Sequence, residues 1–101
     1  MNRKKAKSKV KIDNTSIRVT EFIFEPGEET GMHKHEFDYV VTPITSGELL
    51  LIDKNGKKNN FDLSSSQPYF RYSGVEHNVI NIGNKKIIFI ELEIKNNKEF
   101  L

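Results

Sequence analysis

Apolar and polar residues alternate with a period of two along most of the chain, and the 3.6-residue spacing of an amphipathic helix is nearly absent. Over "SIRVTEFIFEPG", Ile17, Val19 and Glu21 share one parity and Arg18, Thr20, Phe22 and Phe24 the other, which predicts a strand ending at Pro26-Gly27. "ELLLIDKNGKKNNFDL" carries Asn55-Gly56 between two extended runs and predicts a hairpin, with both residues accepting the positive φ of a type I′ turn. "NVINIGNKKIIFIELEIK" predicts a second hairpin turning at Gly83-Asn84. Its second arm sets Ile88, Ile90, Leu92 and Ile94 against Phe89, Glu91 and Glu93, the period of a strand with one buried face that is wetter toward its end. In all, roughly eight short strands at close spacing predict an all-β sandwich or barrel. Because an isolated hairpin is marginal in water, these strands must pack on one another. The tail "KNNKEFL" has weak helical character and is too short to matter by itself.

With 101 residues the chain is expected to form one domain around one core: a basic arm at 1–9, a folded domain over 10–96 and a tail at 97–101. The absence of cysteine excludes a disulfide framework, thiolate catalysis and a cysteine-rich zinc site. The net charge of +2 conceals an asymmetry, since Arg3, Lys4, Lys5, Lys7, Lys9 and Lys11 all fall in the first eleven residues. Such an arm can touch nucleic acid or an anionic surface, add an edge strand to a neighbouring subunit, or be a solvated, partly disordered tail. No nucleic-acid motif or stacking platform accompanies it, so the tail is the expectation and nucleic acid is not an expected partner. No apolar segment follows the basic start and no run approaches membrane-spanning length, so a soluble, cytoplasmic protein without a membrane partner is expected.

The stretch "GMHKHEFDY" holds two of the three histidines, His33 and His35, and "GVEHNVIN" holds the third, His77. In a strand, residues two apart face the same side, so His33 and His35 would stand close enough to hold one ion, and the same face would continue through Phe37 and Tyr39. On a helix the same spacing would splay the two rings about 200° apart. Gly31 before the pair and "YVV" after it favour extension. By itself the His-x-His spacing also describes two polar residues passing through a turn.

The wider context resembles the cupin superfamily. "PGEETGMHKHEFDYVVTPITSGEL" is similar to the first cupin motif, with Gly27, His33, His35 and Gly47 in place, and "PYFRYSGVEHNVIN" to the end of the second, with Gly74, His77 and Asn81. All three histidines fall on ligand positions of that pattern. Over residues 10 to 95 the chain resembles, more narrowly, the small single-domain cupins connected with β-alanine degradation. The resemblance implies a small jelly-roll barrel holding a metal between two sheets, and a homodimer.

The chain also departs from the pattern. The usual glutamate ligand would fall on Tyr39 or Val40, and Asp38 has the opposite parity, so it would need a bulge to turn inward. Ser66 stands where a glycine opens the second motif, and Tyr72 replaces a proline. Three neutral imidazoles without a carboxylate suit several divalent transition metals, among Fe, Zn, Ni, Mn and Cu. Such a face is similar to that of the thiol dioxygenases, and the uncompensated metal charge favours an anionic ligand.

Tyr39 is a candidate weak ligand or proton donor, and equally a packed core tyrosine with its hydroxyl bonded. Alignment with the cupin pattern turns Tyr69 and Arg71 inward, where Arg71 would clamp a substrate carboxylate or pair with Asp38, Glu36 or Glu76. Glu76 and Asn78, flanking His77, are expected to face away from it. Two functions follow: a metal-dependent, dioxygenase-like enzyme acting on a small anionic molecule with Tyr39 and Arg71 as catalytic residues, or a non-catalytic cupin that binds a small ligand or metal as sensor or carrier.

Overall fold

A computed structural model describes residues 2–95. The tail at 97–101, its helical character and the boundary at residue 96 lie outside the described residues. Nine strands form two antiparallel sheets: β1 (Lys7–Asp13), β2 (Ile17–Phe24), β3 (His33–Lys34), β4 (Asp38–Pro43), β5 (Gly47–Asp53), β6 (Lys58–Leu63), β7 (Tyr69–Arg71), β8 (Glu76–Asn81) and β9 (Ile87–Ile94). One sheet runs β1-β2-β9-β4-β7 and the other β3-β8-β5-β6. From β2 onward the chain changes sheet at every connection except β5 to β6, so the fold is a jelly roll.

The predicted strand over "SIRVTEFIF" is β2, and the chain turns at Pro26-Gly27 with Gly27 at φ +85°. The Asn55-Gly56 hairpin joins β5 to β6, but with a different turn. Gly56 has φ +83° whereas Asn55 has negative φ, and Gly56 N–H donates to Asp53 O while Asp53 N–H donates to Lys57 O. This is a type I turn closed by a glycine bulge, needing positive φ at one residue only.

The second predicted hairpin does not form. β8 pairs with β3 and β5 while β9 pairs with β2 and β4 in the facing sheet, so residues 82–86 are an arch between sheets. Asn81, fully buried, holds that arch: its amide donates to Phe24 O (3.2 Å) and Lys85 O (2.8 Å), and its Oδ1 accepts from Gly83 N–H (2.9 Å). The buried amide is thereby satisfied and ties the end of β2 to the start of β9.

The inward face of β9 is also the reverse of what its apolar parity implies. Ile87, Phe89, Glu91 and Glu93 face the interior, and Ile88, Ile90, Leu92 and Ile94 face outward. Phe24, Tyr39, Val41, Leu49, Leu63, Val79, Ile87 and Phe89 form the apolar core, and His35, Glu91 and Glu93 are buried polar side chains. The basic arm is not a free tail. Lys5 bridges to Glu29, Ala6 N–H donates to Glu29 O, and residues 7–13 pair with β2 as an exposed edge strand.

Candidate metal centre

His33 and His77 lie directly opposite each other on β3 and β8, a placement that follows from strand pairing alone. His35 follows β3, where the chain leaves this sheet for the other. It is fixed by its backbone, its N–H donating to Val75 O (2.9 Å) and its carbonyl accepting from Gly74 N–H (2.8 Å). Gly74 makes that approach with φ +95°. The chain bends at Phe37, so the shared face does not run through it. Phe37 lies under the Arg18 guanidinium, 6.0 Å from its ring centre, away from the histidines.

The three Nε2 atoms converge. His33 to His35 and His35 to His77 are each 3.1 Å apart. Metal–nitrogen bonds of about 2.0–2.1 Å at facial or tetrahedral angles set nitrogen separations of roughly 3.0–3.4 Å; these two separations match that range, and all three ligand atoms lie within 4.8 Å of one another, a grouping that could hold one ion. Hydrogen-bond chemistry points the same way. His33 Nδ1 lies 2.8 Å from Gly31 O, and a carbonyl only accepts, so Nδ1 carries the proton and Nε2 presents its lone pair inward. One proton on His35 Nε2 cannot serve two neighbouring lone pairs, whereas a divalent cation serves all three. Burial and the nearby His33 ring hold His35 down at about 4, and burial with the neighbouring His33 and His35 rings and Arg71 holds His77 down at about 3. Both are therefore neutral imidazoles at neutral pH, the ligating form.

The loop before β3 is held by Asn78, which points away from the centre. Its Oδ1 accepts from Gly31 N–H (2.9 Å) and its amide donates to Glu29 (2.7 Å). That is the supporting role expected of this residue.

Tyr39 is buried at 2% exposure and stacks on His35, ring centres 3.8 Å apart and planes within 15°. Burial above all, with the Glu91 charge, pushes its hydroxyl above the ordinary tyrosine range, so it stays protonated. Asp38 does not turn inward. Its Oδ1 accepts from Ser73 N–H (2.8 Å), bracing the β7–β8 connection.

Tyr69 and Arg71 do face the interior, lining a cavity of about 140 Å³ beside the histidines. The Arg71 guanidinium lies over Tyr69 (4.7 Å) and Phe61 (5.4 Å), and Nη1 donates to Phe70 O (2.9 Å). No salt bridge given for the described residues includes Arg71. Tyr69 is pushed up to about 12 by burial, against the lowering effect of Arg71.

Glu91, which the apolar parity of β9 concealed, also lines the cavity. Its Oε1 lies 4.0 Å from His35 Nδ1, the imidazole nitrogen turned away from the centre. Burial, reinforced by Glu93 and opposed by Arg18, pushes its carboxyl up to about 7. Because His35 is neutral, the 4.0 Å approach is not an ion pair.

No protein-family profile matches the chain. It is 50% identical over 86 residues to the beta-alanine degradation protein BauB of Pseudomonas aeruginosa, spanning 85% of this chain and 90% of that protein. It is 33% identical over 69 residues to the oxalate-binding protein of Thermotoga maritima, spanning 68% of this chain and 54% of that one. Among solved structures it superimposes on a cupin domain from Bordetella pertussis with a TM-score of 0.89 and 47% identity, covering 94% of this chain and 98% of that one. An RmlC-like cupin from Methanocaldococcus jannaschii, at 14% identity and a TM-score of 0.75 over 96% of this chain and 86% of that one, shares the double-stranded β-helix fold.

Proposed function

The chain belongs to the cupin superfamily, and from that premise we propose that it is a metal-dependent, oxygenase-like enzyme acting on a small carboxylate-bearing molecule. The observation that carries this is the convergence of three imidazole Nε2 atoms, 3.1 Å apart in two pairs, at the wall of a cavity. His33, His35 and His77 would hold a divalent transition metal. Bound there, such an ion would supply Lewis-acid activation of a ligand oxygen and, with a redox-active metal, chemistry with dioxygen.

The residues around it divide the remaining tasks. Arg71, steadied by Tyr69 and Phe61, keeps guanidinium donors for a carboxylate in the cavity. Tyr39, protonated and stacked on His35, holds a proton beside the ligand site and excludes water from that face of the imidazole. Its position is the one a ligating glutamate would take in the usual cupin pattern, which leaves the donor set neutral and favours an anionic ligand. The oxalate-binding relative supports a second reading, a binding protein for a small anion without turnover.

A homodimer completes the proposal. On the outer face of the sheet Ile88, Leu92 and Ile94 of β9 stand beside Ile23, Val19 and Ile17 of β2, Leu92 also beside Val40 of β4, while Ile90 lies between Glu21 and Thr42, a largely apolar strip broken by polar neighbours. Covering it with a second copy would remove that surface from water.

Oxygen consumption by iron-loaded protein distinguishes the two functions. Uptake with a small thiol-carboxylate or amino-carboxylate, abolished in His77→Ala, is the expected result. Saturable binding of the same molecules with uptake at baseline would replace the enzyme by the binding protein.

A further inference from the structure

Two carboxylates of β9 face the interior, and their surroundings differ. Across the sheet, Arg18, Glu93, Tyr39 and Arg71 form one row of inward residues, and Arg18 grips Glu93 through two bonds of 2.7 and 3.0 Å. Glu91 belongs to the next row, Thr20, Glu91, Val41 and Tyr69. It is 9% exposed, accepts no hydrogen bond from any described residue, and has His35 Nδ1, 4.0 Å from Oε1, as its nearest basic atom. The carboxylate is little exposed but not sealed: no fully buried side-chain oxygen among the described residues lacks a hydrogen-bond partner, so the unbonded oxygens of Glu91 keep some contact with solvent and can meet a charged group there. It borders the cavity, where a ligand can reach it.

Arg71, of opposite charge and in no salt bridge given for the described residues, borders the same cavity. Glu91 and Arg71 are separated by two strand spacings and two residues along the strand, which puts their Cα atoms roughly 12 Å apart. They form no ion pair with each other, so a ligand with charge at both ends can bridge them. The cavity of about 140 Å³ is the space of roughly five waters, and it limits such a ligand to a few carbons.

We propose that the cavity takes a small zwitterionic amino-carboxylate, with its carboxylate on Arg71 and its ammonium on Glu91. The assignment rests on the carboxylate clamp at Arg71 and makes Glu91 the residue that selects for the amino group. His35 Nδ1–H is the competing partner for Glu91. At 4.0 Å it is beyond hydrogen-bond distance of one carboxylate oxygen and leaves the other for the ligand.

The test is calorimetric titration of the full chain with glycine, 3-aminopropanoate and 4-aminobutanoate, each against its deaminated counterpart acetate, propanoate or butanoate. A buried ammonium–carboxylate contact corresponds to about 10- to 100-fold in affinity. At least one amino acid should exceed its counterpart by that ratio. Glu91→Gln, close to isosteric, should erase the ratio while leaving the plain carboxylate unchanged, and Glu91→Asp should keep part of it.

A ratio near one in the wild type overturns the proposal, as does a ratio that survives Glu91→Gln or a failure of all six probes to bind. Equal loss for both series in Glu91→Gln would also overturn it, assigning Glu91 to the orientation of His35. Should Glu91→Gln not fold, the wild-type ratio decides. Titrations are run with chelator-treated and zinc-loaded protein. A preserved ratio in protein that takes up no zinc on loading would refute the metal centre and leave the amino-acid selectivity standing.

Discussion

Acidifying the metal-free protein from pH 7 to pH 5 should destabilise it, and Glu91→Gln should roughly double that loss. His35 titrates at about 4 when folded against 6.5 when free, and His77 at about 3. Each therefore contributes stability that is complete above pH 6.5 and is lost as the pH falls toward the folded value, because the unfolded chain takes up a proton that the folded chain refuses. Glu91 acts in the opposite sense. Its carboxyl titrates at about 7 when folded against 4.5 when free, so it stabilises the fold at low pH and loses that contribution as the pH rises through about 7.

From pH 7 to pH 5 the unfolded chain's proton excess over the folded one grows from near zero to about one, so the slope reaches about 1.4 kcal/mol per pH unit only near pH 5. Integrated from pH 7 to 5, and discounting His77 for its partial exposure, the loss is about 1–2 kcal/mol in the wild type. Glu91→Gln removes the compensating proton and raises the loss to about 3–4 kcal/mol. Urea denaturation of chelator-treated protein at pH 7, 6 and 5 reads both values from the midpoints at constant m. Parallel profiles for the two proteins, or a wild type that gains stability on acidification, would refute the electrostatic description of the site.

Two further outcomes follow from particular contacts. Arg71→Lys should weaken binding of a small carboxylate about 10- to 100-fold, since lysine cannot reproduce the planar fork between Tyr69 and Phe61, and unchanged affinity in a titration would remove Arg71 from the site. Ser66 is the non-glycine residue with positive φ among the described residues, at +66°. Ser66→Gly should relieve that conformation and stabilise the chain by roughly 0.5–1 kcal/mol in chemical denaturation, and a loss of stability would contradict it.

The histidines were legible because their chemistry depends on strand parity and pairing, which the sequence displays directly. His33 and His35 share a face at a spacing of two, and His77 meets His33 across one ladder. Tyr69 and Arg71 were likewise placed inward on β7. Glu91 was hidden because both faces of β9 are partly apolar. Ile88, Ile90 and Ile94 look like the core, yet they lie outside, while the interior face carries Glu91 and Glu93. The arch between β8 and β9 was illegible for a related reason: alternation within each strand is the same whether the pair folds back as a hairpin or crosses to the facing sheet. The distinction lies in Asn81, whose three side-chain bonds close the arch. Phe37 left the shared face because the chain changes sheets between His35 and Asp38, a bend that parity does not encode.

His33, His35 and His77 are proposed to form one metal site, and metal stoichiometry reads this without any assumption about the reaction. The chelator-treated protein is titrated with Zn(II) or Co(II) in competition with a chromophoric chelator, for the wild type and for His77→Ala. One ion per chain is predicted, with His77→Ala weakening binding by at least about 100-fold, since losing a ligand costs more than losing its supporting partner. Substoichiometric binding by the wild type, or equal affinity in His77→Ala, would contradict it.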